Sequence, residues 1–463
     1  MPMVHALEGL VQDASSLHRL VDSVQRFCEE QKAAHAYRSP NEDFLNYTIT
    51  VADETKLFLD RAVSDGLSFP KRIPILRAHL ETIKRFWQQL HRYVKPAGDA
   101  HRLRLPAPLL DLATEHVQRV EQMSSAKVVA MLTPYLMYFQ QPHTEFKKLT
   151  QLAAAAISGT HLPEKLGFVE LPYSLAPNFL ANLVVYHELG HFVWEEFEAA
   201  SPPHLGIAGL KREMVKCLNK HILDFPTWSP EDRLQALEQV EYWTYEVFCD
   251  LFALRLIGPA FSFAAIEFFN LLAINKSDWV TFSYSHPAPC CRFYEHKRLL
   301  VEEGWWPYVG DLKSEYVSTI KNLSAVPSSR YVAGFNGKQP KSLISAFLAL
   351  RPAIRRLVRT VTEHAKASPK DFAFYRRAVE DSFLHGVVPS TVVMQGKPRT
   401  PTATAIVNAS VCFYLTSMPR LMHNLQAQDA HNVSQRSHWI HRLESWTMKA
   451  VEDVQLLIRR TPN

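Results

Sequence analysis

Tyr186-His187-Glu188-Leu189-Gly190-His191 is the stretch on which the reading of this chain turns. It lies in a run from Asn178 to Phe197 that is dense in apolar residues and free of turn breakers after Pro177, so the run reads as a largely buried helix. On a helix, positions i and i+4 stand one above the other on the same face. His187 and His191 can therefore point imidazole nitrogens at one zinc ion. Glu188, directly after the first histidine, takes the place of a general base beside the activated water. Gly190 costs about 1 kcal/mol of helix propensity relative to Ala, which predicts that something packs closely on the backbone there. The competing reading is a solvated helix with incidental histidines, and the surrounding residues are too apolar for it.

Working outward, Gly167 to Tyr173 carries Phe168 and Val169 between Gly167 and Pro172, and reads either as a short strand or as a plain loop. As an edge strand it would hold an extended peptide by main-chain pairing. Downstream, Ser229-Pro230-Glu231-Asp232 has the form of an N-cap, a proline at N1 and acids in the first turn. The helix it opens runs to about Ile257 and places Glu246 and Asp250 on one face, four residues apart. Its other residues there are apolar, so two acids need cations or hydrogen-bond donors. Glu246 can complete a His-His-Glu zinc set. Asp250 can accept the second ring N–H of a ligand histidine and fix its tautomer. An arginine such as Arg255 satisfying both acids is the alternative.

An HExxH followed by a distant ExxxD resembles the gluzincin metallopeptidases. The gap of 55 residues from His191 to Glu246 is similar to the branch of the CAAX prenyl proteases, the heat-shock membrane proteases and their soluble relatives. Those carry a later His-Pro element followed by Arg, and His286-Pro287 with Arg292 is similar. The resemblance covers Gly167 to about His296. It implies zinc held by His187, His191 and Glu246, with Glu188 as base. It implies that His286 lies near the metal and helps stabilise the oxyanion, and that Arg292 supports the carboxylates from outside the ligand set. Tyr284 is the second candidate for the oxyanion. The chain departs from that branch in lacking clear transmembrane segments and in its large helical flanks.

The flanks are read from periodicity and punctuation. Residues 4–158 form a helical lobe, with apolar stripes from Leu7 to Phe27, from Asn41 to Val63 and after Pro74. A long helix is expected from Pro108 to Leu136, kinked at Pro134, and a fifth from Thr144 to Gly159. Ser342 opens a helix with Arg351, Arg355, Arg356 and Arg359; Ser368 caps the next; Val387 to Thr404 reads as a long loop or hairpin; and a last helix runs from Ser434 to Arg460.

Composition bounds the rest. At 463 residues with 47% hydrophobic and 21% charged, the chain can bury a sizeable core and is not disordered. The six cysteines form no CxxC and no disulfide framework, which fits a reducing, cytoplasmic setting. No secretory signal is read at the N-terminus. The most apolar window, Leu256 to Ile274, contains Glu267 and reads as a core helix, so no membrane span is expected. Residues 341–463 carry 17 Lys and Arg against 8 Asp and Glu, so the formal charge of +5 is concentrated there.

The expected fold is therefore mainly α, a zincin-like catalytic core with a small strand element flanked by helical regions. The regions are 1–158, an N-terminal helical part; 159–310, the catalytic part; and 311–463, a basic helical part. The expected function is a zinc peptidase acting on peptides or proteins. Two alternatives stay open: a helical sensor or interaction protein with a structural or regulatory zinc, and a nucleic-acid-associated factor using the basic C-terminal region.

Overall fold

The computed structural model describes residues 2–33, 40–102, 107–133, 139–140, 157, 165–172, 178–200, 203–271, 276–335, 338–417 and 433–460. The fold is mainly α. The chain divides into two compact units, Met1–Thr114 with Ser125–Pro177, and Glu115–Ser124 with Asn178–Asn463. The stretch 159–177 thus groups with the N-terminal helices, and 311–463 with the HELGH helix.

The first unit holds α1 (Pro2–Ala33), α2 (Pro40–Ser68), α3 (Ile73–Arg102), the part of α4 (Ala107–Gln118) up to Thr114, β1 (Ala126–Thr133), β2 (Phe139–Gln140) and β3 (Lys165–Pro172). The expected stripes of α1 to α3 do meet: Leu10, Leu17, Val21 and Val24 share one core with Phe44, Leu45, Ile83, Trp87 and Leu90. Sheet residues Val129, Met131 and Phe168 join that core. β3 is the middle strand, parallel to β1 over eight residues and antiparallel to β2. Gly167 to Pro172 is therefore a strand, but an internal one, and its expected role as a peptide-holding edge does not hold.

The long helix expected from Pro108 to Leu136 is also corrected: it stops at Gln118, and β1 follows. β1 is buried on both faces, from Ala126 to Met131 almost without interruption. Such a strand has no alternation to distinguish it from a buried helix. The expected kink at Pro134 and helix from Thr144 to Gly159 lie outside the described residues.

The second unit contains α5 (Phe179–Asn182), α6 (Val185–Ala199), α7 (Leu205–His221), α8 (Pro230–Ile257), α9 (Pro259–Leu271), β4 (Thr281–Phe282), α10 (Pro289–Glu302), α11 (Trp306–Val309), α12 (Glu315–Ser324), β5 (Val332–Ala333), α13 (Pro340–Val361), α14 (Pro369–Leu384), β6 (Val392–Met394), β7 (Lys397–Arg399), α15 (Ala403–Thr416) and α16 (Val433–Arg460). The single helix expected from Asn178 to Phe197 is two. Asn178 caps α5 by accepting from the Ala181 N–H, and a turn at Leu183–Val184 separates it from α6. The signals at Ser229 and Ser368 are realised as N-caps of α8 and α14. The apolar window from Leu256 is split by Gly258 (φ 72°), where α8 ends and α9 begins. No helix among the described residues is long and apolar enough to cross a membrane. Val387 to Thr404 contains the β6–β7 hairpin, turning through Gln395 and Gly396 at positive φ, as a two-residue hairpin turn requires.

The arginines of α13 turn inward more than a solvated face would. Arg355 is 5% exposed and ion-pairs with Glu295 of α10, which is fully buried. Arg351 meets the other Glu295 oxygen at 3.3 Å, and Arg359 meets Glu302 and Glu303 at 2.5 and 3.2 Å. Glu303 also receives Arg255 of α8 at 2.5 Å. These pairs brace α10, the helix that carries Arg292, against α13. Removing one partner of a buried pair strands the other charge and costs about 3–5 kcal/mol. Arg355→Ala is therefore expected to lower unfolding free energy by about 3 kcal/mol, measured by chemical denaturation. A loss below about 1 kcal/mol would mean that Arg351 alone satisfies Glu295.

Candidate metal centre

α6 and α8 cross where Gly190 faces Cys249. A Cβ on Gly190 would stand 2.7 Å from the Cys249 Cα and 2.9 Å from its Cβ. That clearance brings the HELGH face against the Glu246–Asp250 face. His187 and Glu246 are 7% exposed and Asp250 is 1% exposed; Glu188 is buried on α6 beside His187.

Asp250 Oδ1 lies 2.9 Å from His187 Nδ1 and accepts its hydrogen bond. That tautomer follows from the carboxylate partner, and it directs Nε2 of the same ring away, toward Glu246. His187 Nε2 is 3.4 Å from Glu246 Oε2, and His191 Nε2 is 3.6 Å from Oε1. Ligands at 2.0–2.2 Å around a tetrahedral zinc stand about 3.3–3.6 Å apart. Each histidine thus stands at donor spacing from one oxygen of Glu246, His187 from Oε2 and His191 from Oε1. Among the described residues Glu246 Oε2 is buried and accepts no aligned hydrogen bond; its charge is met only by ion-pair contacts with His187 and Arg292 at 3.4 and 3.3 Å.

Behind this set, Arg292 of α10 grips Asp250 with two hydrogen bonds of 2.6 Å and reaches Glu246 Oε2 at 3.3 Å. Arg255, the alternative partner for these acids, instead serves Glu303 and Glu363 and the Thr362 hydroxyl. His286 sits in a turn pinned by hydrogen bonds between Ser283 and His286: the His286 N–H donates to Ser283 Oγ at 2.8 Å, and the Ser283 N–H and hydroxyl donate to the His286 carbonyl at 3.0 and 3.3 Å. Trp243 Nε1 of α8 donates to the Ser283 carbonyl, tying the turn to the site helix. His286 Nε2 stands 3.6 Å from Glu246 Oε1 with 56% of its side chain exposed, on the open side of the cluster. It does not cap α10, whose N-cap is Ala288. Tyr284 packs on Tyr242 at 6.1 Å and is half-exposed.

The charges follow from this geometry. Burial disfavours a proton on His187, but the hydrogen bond to Asp250 and the nearby charges of Glu246 and Asp250 outweigh it and raise its pKa to about 10. Burial and the His187 charge push His191 down to about 3. Burial opposes ionisation of Glu246 and Asp250, yet His187 and Arg292 hold both below the usual carboxylate range. Metal binding requires an unprotonated Nε2, so a cation held there would compete with a proton for His187.

Three contacts were not foreseen from the sequence. Cys249 Sγ lies 3.2 Å from His191 Nδ1 and, with His187 and His191, forms a compact cluster of possible donors. Its thiol faces the ring edge opposite Nε2, and burial with neighbouring carboxylates raises its pKa well above the usual value. Tyr245 packs on the His191 ring at 4.3 Å and donates to the His191 carbonyl at 3.2 Å. His296, one turn after Arg292, approaches Asp250 Oδ2 at 3.1 Å. Helical spacing from Glu246 and Arg292 was the available signal for Cys249 and His296, but it does not tell which helix lies opposite.

No protein-family model, curated protein or solved structure matches the chain. The gluzincin resemblance therefore rests on the residues above.

The crossing itself can be tested. Ala at Gly190 gains about 1 kcal/mol of helix propensity, but overpacking a contact that cannot yield costs about 1–3 kcal/mol. Because the obstructing atom is backbone, the second effect wins. Gly190→Ala is expected to lower the melting temperature and loosen metal binding together. A more stable mutant with unchanged zinc affinity would show that α6 and α8 are free to separate.

Proposed function

We propose that the chain is a zinc-dependent peptidase in which His187, His191 and Glu246 hold the metal. The observation that carries this reading is the approach of both Nε2 atoms to the two oxygens of Glu246 at 3.4 and 3.6 Å, with Asp250 behind His187. When bound, zinc supplies a Lewis acid that lowers the pKa of water toward about 7 and polarises a carbonyl. Glu188 accepts the water's proton and returns it to the leaving amine. His286 donates to the developing oxyanion from the open side. Asp250 keeps His187 in the tautomer that presents Nε2, and Arg292 keeps Asp250 ionised and in place.

The substrate is a peptide or protein. All six cysteines are free, which supports a reducing compartment such as the cytoplasm. A regulatory or structural zinc is favoured by one observation, the presence of Cys249 among the donors. Its place on the Nδ1 edge of His191 speaks against its sharing a metal with Nε2. For a nucleic-acid role, three of the four arginines of α13 are engaged by acids of α10, and Arg356 is the exposed one.

One pair of substitutions tests the reading. Glu246→Ala is expected to lose zinc by elemental analysis, whereas Glu188→Gln keeps zinc and fold but loses hydrolysis of a denatured protein such as casein. Full zinc in Glu246→Ala removes that residue from the site, and wild-type hydrolysis by Glu188→Gln removes the proposed base.

His286→Ala separates transition-state binding from structure. The expected loss is on the order of 10²–10³ in kcat, as for one oxyanion donor, with zinc content and melting temperature unchanged. Lost zinc would make His286 a ligand. A lower melting temperature with full activity per folded molecule would make it a turn residue.

A further inference from the structure

His296 is the one histidine packed against the site for which the resemblance offers no role. It is 1% exposed, and its ring is held between Phe261 of α9 at 5.5 Å and Phe293 at 5.0 Å. An imidazole in so apolar a slot needs partners for both nitrogens. The Ser262 hydroxyl, 3.4 Å from Nδ1, can donate there, which leaves the proton on Nε2. Nε2 faces Asp250 Oδ2 at 3.1 Å, at hydrogen-bond distance but obliquely, so that it completes no aligned bond.

Asp250 is thus gripped by two side chains of α10 spaced i, i+4. Arg292 binds both oxygens, and His296 closes on Oδ2 from the far side. The third contact of the carboxylate is the His187 Nδ1 hydrogen bond. An Asp fixed at two points cannot swing about its χ2 torsion, and that torsion sets where His187 Nε2 points. Phe261 reinforces the arrangement, stacking parallel on His187 (4°, 6.4 Å) while packing on His296.

We propose that His296 is a positioning residue for the metal site, acting through Asp250 to hold the His187 ring. The inference rests on the metal reading above. Its strength should be that of an outer partner, roughly 10-fold in zinc affinity, and less than the loss caused by removing Asp250 itself. The rival is that His296 merely fills the aromatic slot.

His296→Phe keeps the slot filled and removes the donor, whereas His296→Gln restores an N–H of similar reach. Zinc affinity is measured by competition with a chelator on the full chain, together with the melting temperature of the metal-free protein. The expected result is affinity weakened about 10-fold in His296→Phe and largely recovered in His296→Gln. The His296→Phe effect should vanish in an Asp250→Ala background, because two residues acting through one path are not additive. Unchanged affinity in His296→Phe, or an equal loss with and without Asp250, overturns the inference and leaves the metal reading intact. A wild-type chain that binds no zinc overturns the metal reading and the inference with it.

Discussion

The close crossing of α6 and α8 at Gly190 and Cys249 is the constraint from which the candidate site follows. Two helices normally keep their axes 8–10 Å apart, set by the side chains between them. A glycine with a backbone atom of the facing helix in the place of its Cβ removes one layer of that separation. Short side chains on both helices then reach one another, and His187 can touch Asp250 and Glu246 at once. The cost in helix propensity at Gly190 is small beside what depends on it. It is tolerable because nearly every other residue of α6 up to Phe197 is buried and tertiary packing overrides propensity.

That crossing concentrates charge in a place with little water. Glu188, Glu246 and Asp250 bring three carboxylates, and the nearby Arg292 one guanidinium. Buried ions persist only when paired and hydrogen-bonded. Asp250 is provided for by two hydrogen bonds from Arg292 and one from His187, with His296 close by at 3.1 Å. Glu246 is held less firmly: among the described residues its Oε2 accepts no aligned hydrogen bond, Arg292 reaches it only at 3.3 Å, and its other neighbours are imidazoles at 3.4 and 3.6 Å. One acid is arranged as a support and the other, a single helical turn away, as a donor.

The helical pattern was legible for definite reasons. His187 with His191 and Glu246 with Asp250 stand at i, i+4, a spacing that fixes a shared face whatever lies opposite. Caps at Ser229 and Ser368 were legible because the side-chain chemistry is local. What escaped depends on contacts between distant segments. β1 was hidden because both its faces are buried, so Val128 and Val129 look the same in a strand or a helix. The break at Leu183–Val184 carries no glycine or proline to announce it. Nothing in the run of Arg351, Arg355 and Arg359 says that acids of α10 lie within reach. Cys249 and His296 read as ordinary core residues until the facing helices are known.

The ladder that joins α10 to α13 also ties distant parts of the sequence to the candidate site. Glu295 and His296 are neighbours on α10, one buried against arginines of α13 and the other against Asp250. A chain cut before residue 340 would keep His187, His191 and Glu246 but lose both counter-charges of Glu295, leaving a buried carboxylate that burial alone disfavours. Possessing the three candidate ligands is therefore not the same as possessing the scaffold that holds them.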